Sequence, residues 1–182
     1  MSVLLVGSNP GLLLHHAGTD GTGGAGGVSA FAAVWRVAWS RHGAGDAVVL
    51  WHAGRTRVLT DRPPLGAWLA QAFTRHFPEV EGLAWPEPEL TRTAVAIDLD
   101  LASGMVAQAD DVRVEVTGPL DRRPVRVAAF PGNGWQLSNV YTPCRDGVLH
   151  LAGRRVPGAP HVVTGPRASS SAYLADAEVW CD

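Results

Sequence analysis

A mainly β fold carrying one helix is what this sequence predicts, on three observations. Apolar and polar side chains alternate through most of the chain, as in strands with one covered face. One segment, 64–77, has instead the 3.6-residue period of an amphipathic helix. Connections are short and rich in turn-forming residues, which favours antiparallel neighbours. The expected architecture is an antiparallel curved sheet or closed β-barrel of about nine to ten strands, with the helix packed on it. A two-layer α+β sandwich is the alternative.

The elements follow in order. The opening MSVLLVGSNPGLLLHHAG has no basic leader, and GSNPG breaks its apolar runs, so neither a signal peptide nor a membrane span is expected. Gly18 to Gly27, GTDGTGGAGG, has no phosphate-loop pattern and reads as a flexible loop or flap. FAAVWRVAWSR sets Trp35, Val37 and Trp39 against Arg36, Ala38 and Ser40, a strand pattern. DAVVLWHAGRTRVLTD reads as a hairpin turning at Ala53-Gly54. In the helix, Leu65, Trp68, Leu69, Ala72, Phe73 and His76 form one face, with Asp61 as cap and Pro78 as stop. From Thr91 onward TAVAIDLDL, DVRVEVTG, PVRVAAF, QLSNVYTP, GVLHLAG and SAYLADAEVWC all read as strands. Ala-Gly-Arg recurs at 53–55 and 152–154, too short for a repeat but suggestive of two similar hairpin turns.

Composition narrows the chemistry. With 182 residues, 46% apolar and 18% charged, the chain is most simply a single globular domain spanning 1–182. A net charge of −2 offers no footprint for nucleic acid and no face for anionic membranes. All fifteen basic residues are arginine. Schiff-base, pyridoxal and P-loop chemistries need a lysine and are excluded. Two cysteines, Cys144 and Cys181, make neither a disulfide framework nor a zinc knuckle, so a reduced, cytoplasmic setting is expected. Gly-x-Ser-x-Gly and a dinucleotide fingerprint are both lacking, and neither cofactor nor metal is expected.

Candidate site residues cluster in NVYTPCRDGVLHLAGRR, 139–155. Asp146-Gly147 is the strongest two-residue hairpin signal in the chain. A turn there sets Pro143 opposite His150 and Asn139 opposite Arg154. Cys144, Thr142, Val140, Leu149 and Leu151 then share one face, which makes the thiol an inert core group. The other face gathers Asn139, Tyr141, Arg145, His150 and Arg154. It is either a solvated sheet surface or the wall of a lumen. In a lumen, Tyr141 and His150 are the proton-transfer candidates, and Asn139, Arg145 and Arg154 bind substrate, arginine suiting an oxyanion. Secondary candidates are Asp98 and Asp100, which share a strand face near Arg113, and His52 with Arg55 and Arg57 at a hairpin end. His15 and His16 are adjacent and point oppositely along a strand, so they do not make a metal pair.

The function expected on these grounds is a cofactor-independent enzyme of cyclase, isomerase or lyase type, acting on a small polar or anionic metabolite. A non-catalytic small-molecule-binding barrel is one alternative. The other is an accessory subunit of a heteromeric biosynthetic enzyme, forming a homo- or hetero-oligomer through a surface rich in the chain's seven tryptophans.

Overall fold

The alternating segments form strands almost throughout the computed structural model, which describes residues 2–17 and 27–181. The glycine-rich stretch, apart from Gly27, lies outside the described residues. Strands β1 (Ser2–Ser8) and β2 (Gly11–His15) precede β3 (Val28–Ser40), β4 (Gly45–His52) and β5 (Arg55–Thr60). Helix α1 (Pro63–Ala72) and two 3-10 turns, Thr74–His76 and Pro78–Val80, lead to β6 (Glu89–Arg92). Then come β7 (Val95–Asp100), β8 (Gly104–Ala109), β9 (Val112–Pro119), β10 (Arg123–Val127) and the long β11 (Gln136–Leu151). Short strands β12 (Arg154–Arg155), β13 (Val162–Val163) and β14 (Ser169–Ser170) precede β15 (Ala172–Cys181).

The chain is thus mainly β, with one α-helix among the described residues. Its main sheet runs β6-β5-β4-β3-β1-β15-β11-β9-β8-β7, with β2 bridging β15 and β3, and β10 and β12 flanking β11. The path ends at β6 and β7, which do not pair with each other, so the sheet is curved and open and not a closed barrel. Pairing is antiparallel except between β5 and β6, which are parallel. The chain between those two strands carries α1 and both 3-10 turns, long enough to cross back over the sheet face.

Strand β11 is the hinge of the architecture, and it corrects the sequence expectation. Asp146-Gly147 does not turn. The strand runs straight through it, its first half paired with β15 and β10 and its second half with β9. A methyl group at Gly147 would sit 2.2 Å from Leu12 Cδ1, so this glycine is there for close packing against β2. The hairpin turn lies further on, at Ala152-Gly153, with φ of 50° and 73°. The earlier Ala53-Gly54 turn has the same two values, so the two Ala-Gly-Arg segments do share turn chemistry.

Because β11 passes from one half of the sheet to the other, the halves fold face to face. Between them lies one core, in which Leu12, Ala32, Val34, Val48 and Leu50 meet Met105, Val112, Val114, Val116, Cys144 and Leu149. The opposite face of β3 and β4, with Phe31, Trp35, Val49 and Trp51, packs under α1 and the 3-10 turns. That strand is covered on both sides, which is why FAAVW lacks polar residues. The result has three layers.

The helix is shorter than the sequence period suggests, ending at Ala72 and not at residue 77. Thr74 diverts it: its hydroxyl donates to Leu69 O at 3.1 Å and accepts the Trp35 indole N–H at 3.2 Å. Asp61 does not cap the helix; its carboxylate accepts the Asp46 N–H at 3.0 Å. Leu65, Leu69 and Phe73 are buried as expected, whereas Trp68 is only half-buried, at the rim. The tryptophans are divided between core and surface, with Trp180 half-buried. Trp35 and Trp51 are buried, and Trp68, Trp85 and Trp135 pack against the same core, leaving Trp39 as the well-exposed one among the described residues.

Candidate functional site

The expected polar cluster does not assemble. With β11 extended, Asn139 and His150 are eleven residues apart on one strand, roughly 36 Å along it at ~3.3 Å per residue. His150 faces Arg113 on β9 and Arg155 on β12, beside Asp110 and Asp111. Arg145 and Arg154 are exposed. Asp98 and Asp100 are exposed too, and β8 lies between them and Arg113, which pairs with Glu115 at 2.7 Å. Asp100 caps a turn, accepting from Ala102 N and Ser103 Oγ, and these bonds hold its carboxyl below the usual range. Arg57 is taken up by a two-pronged pair with Asp111. His52 sits at the β4–β5 turn, its pKa lowered by burial. His15 meets the His161 ring edge-on, 6.3 Å between centroids. No group of three or more His, Cys, Asp or Glu able to hold a metal ion occurs among the described residues.

Asn139 and Tyr141 do share a site, one formed by other partners. A cleft of about 330 Å³ opens on the helix side of the sheet. Its floor is β15 and the first half of β11, and it exists because Ala175 and Ala177 put only methyl groups on that face. Tyr173 closes one end, its ring lying over Gly11, where a Cβ would fall 2.4 Å from the Tyr173 hydroxyl. The roof is the segment after α1, with Phe73, Phe77, Pro78 and Glu79, together with Phe130.

The roof is held by specific contacts. Asn133 donates its side-chain N–H to Ala72 O at 2.9 Å, satisfying a carbonyl at the helix end, and accepts Trp135 N–H at 3.1 Å. Gly132, with φ of 84°, lies against the His76 imidazole. Phe73 is at the centre of the ring cluster, 5.0 Å from Trp135, 5.5 Å from Trp35 and 5.9 Å from Phe130.

Within this apolar frame one charged group faces the cleft, Glu79. The residue as a whole is half-buried, and burial of its carboxyl pushes its pKa up. The Tyr173 hydroxyl donates to it, favouring the ionised form without reversing the effect of burial. Tyr173 itself is buried, which together with the nearby Glu79 charge raises its phenol well above the ordinary value. Asn139 Oδ1 is buried without a hydrogen-bond partner. Tyr141 contributes its ring, while its hydroxyl is committed elsewhere: it donates to Ser170 O at 2.8 Å and accepts Ser170 N–H at 3.2 Å. An enclosed carboxyl, a phenol hydrogen-bonded to it and an unpaired carbonyl can exchange protons with a ligand and orient it.

Glu79 and Tyr173 were missed by sequence reasoning. Glu79 follows the helix-stopping Pro78, outside the periodic segments from which candidates were drawn. A signal was nonetheless present, since FPEV places it inside an apolar run. Tyr173, Ala175, Ala177 and Val179 share one strand parity, and small residues next to a large one on an apolar face mark an unfilled space. Compared with protein-family models, curated proteins and solved structures, the chain matches none.

Proposed function

We propose that this chain binds a small, mainly apolar molecule in the cleft between β15, β11 and the roof, with Glu79 and Tyr173 as the polar end of the site. The observation that carries this reading is the enclosed Glu79 carboxyl in an aromatic cleft with no cation among its lining residues. Such a group is costly to keep without a partner, and a concave apolar site with few converging polar groups is the usual form of a ligand pocket. An anionic ligand is disfavoured, because no arginine or histidine lines the cleft.

Catalysis is the second reading, favoured by the raised carboxyl of Glu79 hydrogen-bonded to Tyr173. A carboxyl moved toward neutral pH suits general acid–base work in a cofactor-independent isomerase or lyase. The test is a thermal-shift screen of small aromatic and aliphatic compounds against the wild type and Ala177→Phe, which fills the floor. Ligands that stabilise only the wild type support the site. Equal stabilisation of both proteins refutes it. Incubating each ligand with wild type and Glu79→Gln then separates enzyme from carrier, since turnover confined to the wild type marks an enzyme.

A further inference from the structure

We propose that the occupant of this cleft is an organic ammonium ion, an amine with an apolar or aromatic tail, and that Glu79 is its counter-ion. The inference rests on the cleft being a binding site and adds the chemical class of its ligand. Charge comes first. Glu79 is the one acidic side chain in the lining, no basic side chain lines the cleft beside it, and the chain has no lysine. The guanidinium of Arg123, stacked 5.0 Å over the Tyr141 ring, is occupied by Asp121 and by Ala168 O at 2.8 Å and is not part of the lining. A counter-charge for the Glu79 carboxylate would therefore come from the ligand.

The remaining lining matches that charge. Trp35, Phe73, Phe77, Phe130, Tyr141 and Tyr173 present aromatic rings to the cleft, and ring faces attract cations. The Trp35 indole N–H is spent on Thr74, so that side chain offers its π surface and no donor. Asn139 Oδ1 waits for an N–H, and an ammonium carries several. A carboxylate or phosphate would find no cation in the lining. A neutral alcohol would leave Glu79 protonated and gain no ion pair. Binding of the cation draws the proton off Glu79, so uptake of the amine releases a proton to the buffer and strengthens as pH rises above the carboxyl range.

Three isosteric probes decide the matter: phenethylamine, 2-phenylethanol and 3-phenylpropanoate, titrated calorimetrically and by tryptophan fluorescence. The expected result is that the amine binds the wild type most tightly and the carboxylate least. Glu79→Gln should weaken the amine roughly 10- to 100-fold while leaving the alcohol nearly unchanged. Ala177→Phe should abolish amine binding. If the alcohol binds the wild type as tightly as the amine, or if Glu79→Gln leaves amine affinity unchanged, the ammonium assignment falls and the cleft survives as a neutral-ligand site. If amine binding persists in Ala177→Phe, the amine binds elsewhere and the assignment falls. If none of the three binds at millimolar concentration, the binding reading falls with it.

Discussion

Glu79 is enclosed by groups that stabilise its charge only in part, and its titration has a defined effect on stability. Its folded-state pKa is raised, chiefly by burial, whereas in the unfolded chain a glutamate titrates at roughly 4.3. Below that pH both states hold the proton and no stability is lost. As pH rises, the unfolded chain releases its proton first, and stability declines until the folded-state pKa is reached. Glu79→Gln removes this loss. Its melting temperature should exceed that of the wild type at pH 7 to 8 and converge with it near pH 4. A difference independent of pH would show a solvated carboxyl. Cys144 shows the same physics among aliphatic side chains. It is fully buried beside Leu149 and Leu174, and burial pushes its thiol up to about 11. Little thiolate exists at neutral pH, so native Cys144 should resist iodoacetamide, with peptide mapping to separate it from Cys181. Rapid modification at Cys144 would contradict its burial. The burial of this cysteine was legible in the sequence although the hairpin used to derive it does not form. Strand parity alone places Cys144 and Thr142 on one face, and that parity survives the loss of the turn.

At the scale of elements, local periodicity was readable and pairing was not. The Ala53-Gly54 hairpin, the alternation of β7 and β9 and the buried face of α1 are all set by residues close in sequence. The fate of Asp146-Gly147 depends on Leu12 and on β9, far away in the chain, so no window around the dipeptide contains the answer. A rival turn was visible, though. Ala152-Gly153-Arg154 repeats the motif of a hairpin correctly read at 53–55. If Gly147 serves close packing and not a turn, Gly147→Ala must push a methyl into Leu12, itself fully buried. Overpacking of this kind should cost about 1–3 kcal/mol in urea unfolding. A neutral result would mean that β2 and β11 are not in contact there. The roof gives a second comparison. Phe73→Ala removes the centre of the ring cluster and should cost about 3–5 kcal/mol, while Trp68→Ala, at a half-solvated rim, should cost clearly less. The reverse order would place the core on the wrong side of the helix.

On the scale of the whole molecule, the site follows from the layering. The first half of the sheet is covered on one face by the second half and on the other by α1 and the roof. The second cover is incomplete, because the roof beyond Ala72 is two short turns and a loop, and the cleft is what it leaves open over Ala175 and Ala177. The small residues of the floor were legible in the parity of β15, but their partners were not, since β15 pairs with β11, some thirty-five residues earlier, and with β1 at the other end of the sequence. Strand pairing joins the two sheet halves through β11, so apolar burial must hold them together elsewhere, and one polar contact helps. Arg57 on β5 reaches Asp111, at the turn before β9, with Nη2 to Oδ1 at 2.7 Å and Nη1 to Oδ2 at 3.3 Å. This forked hydrogen bond is the chief cause that holds the Asp111 carboxyl below the usual range. The stabilisation it gives is therefore present above roughly pH 3.9 and lost as pH falls through the lower, folded-state value. The side chains are 24% and 36% exposed, so solvent screens the pair and its worth is modest. A double-mutant cycle of Arg57→Ala and Asp111→Ala should give a coupling of about 0.5–1.5 kcal/mol at pH 7 and low salt. The coupling should shrink in concentrated salt and be lost as pH falls through the folded-state value of Asp111. A coupling of zero at low salt would mean that the fork contributes nothing, and that the layers are held by the Leu50, Leu59 and Val114 core alone.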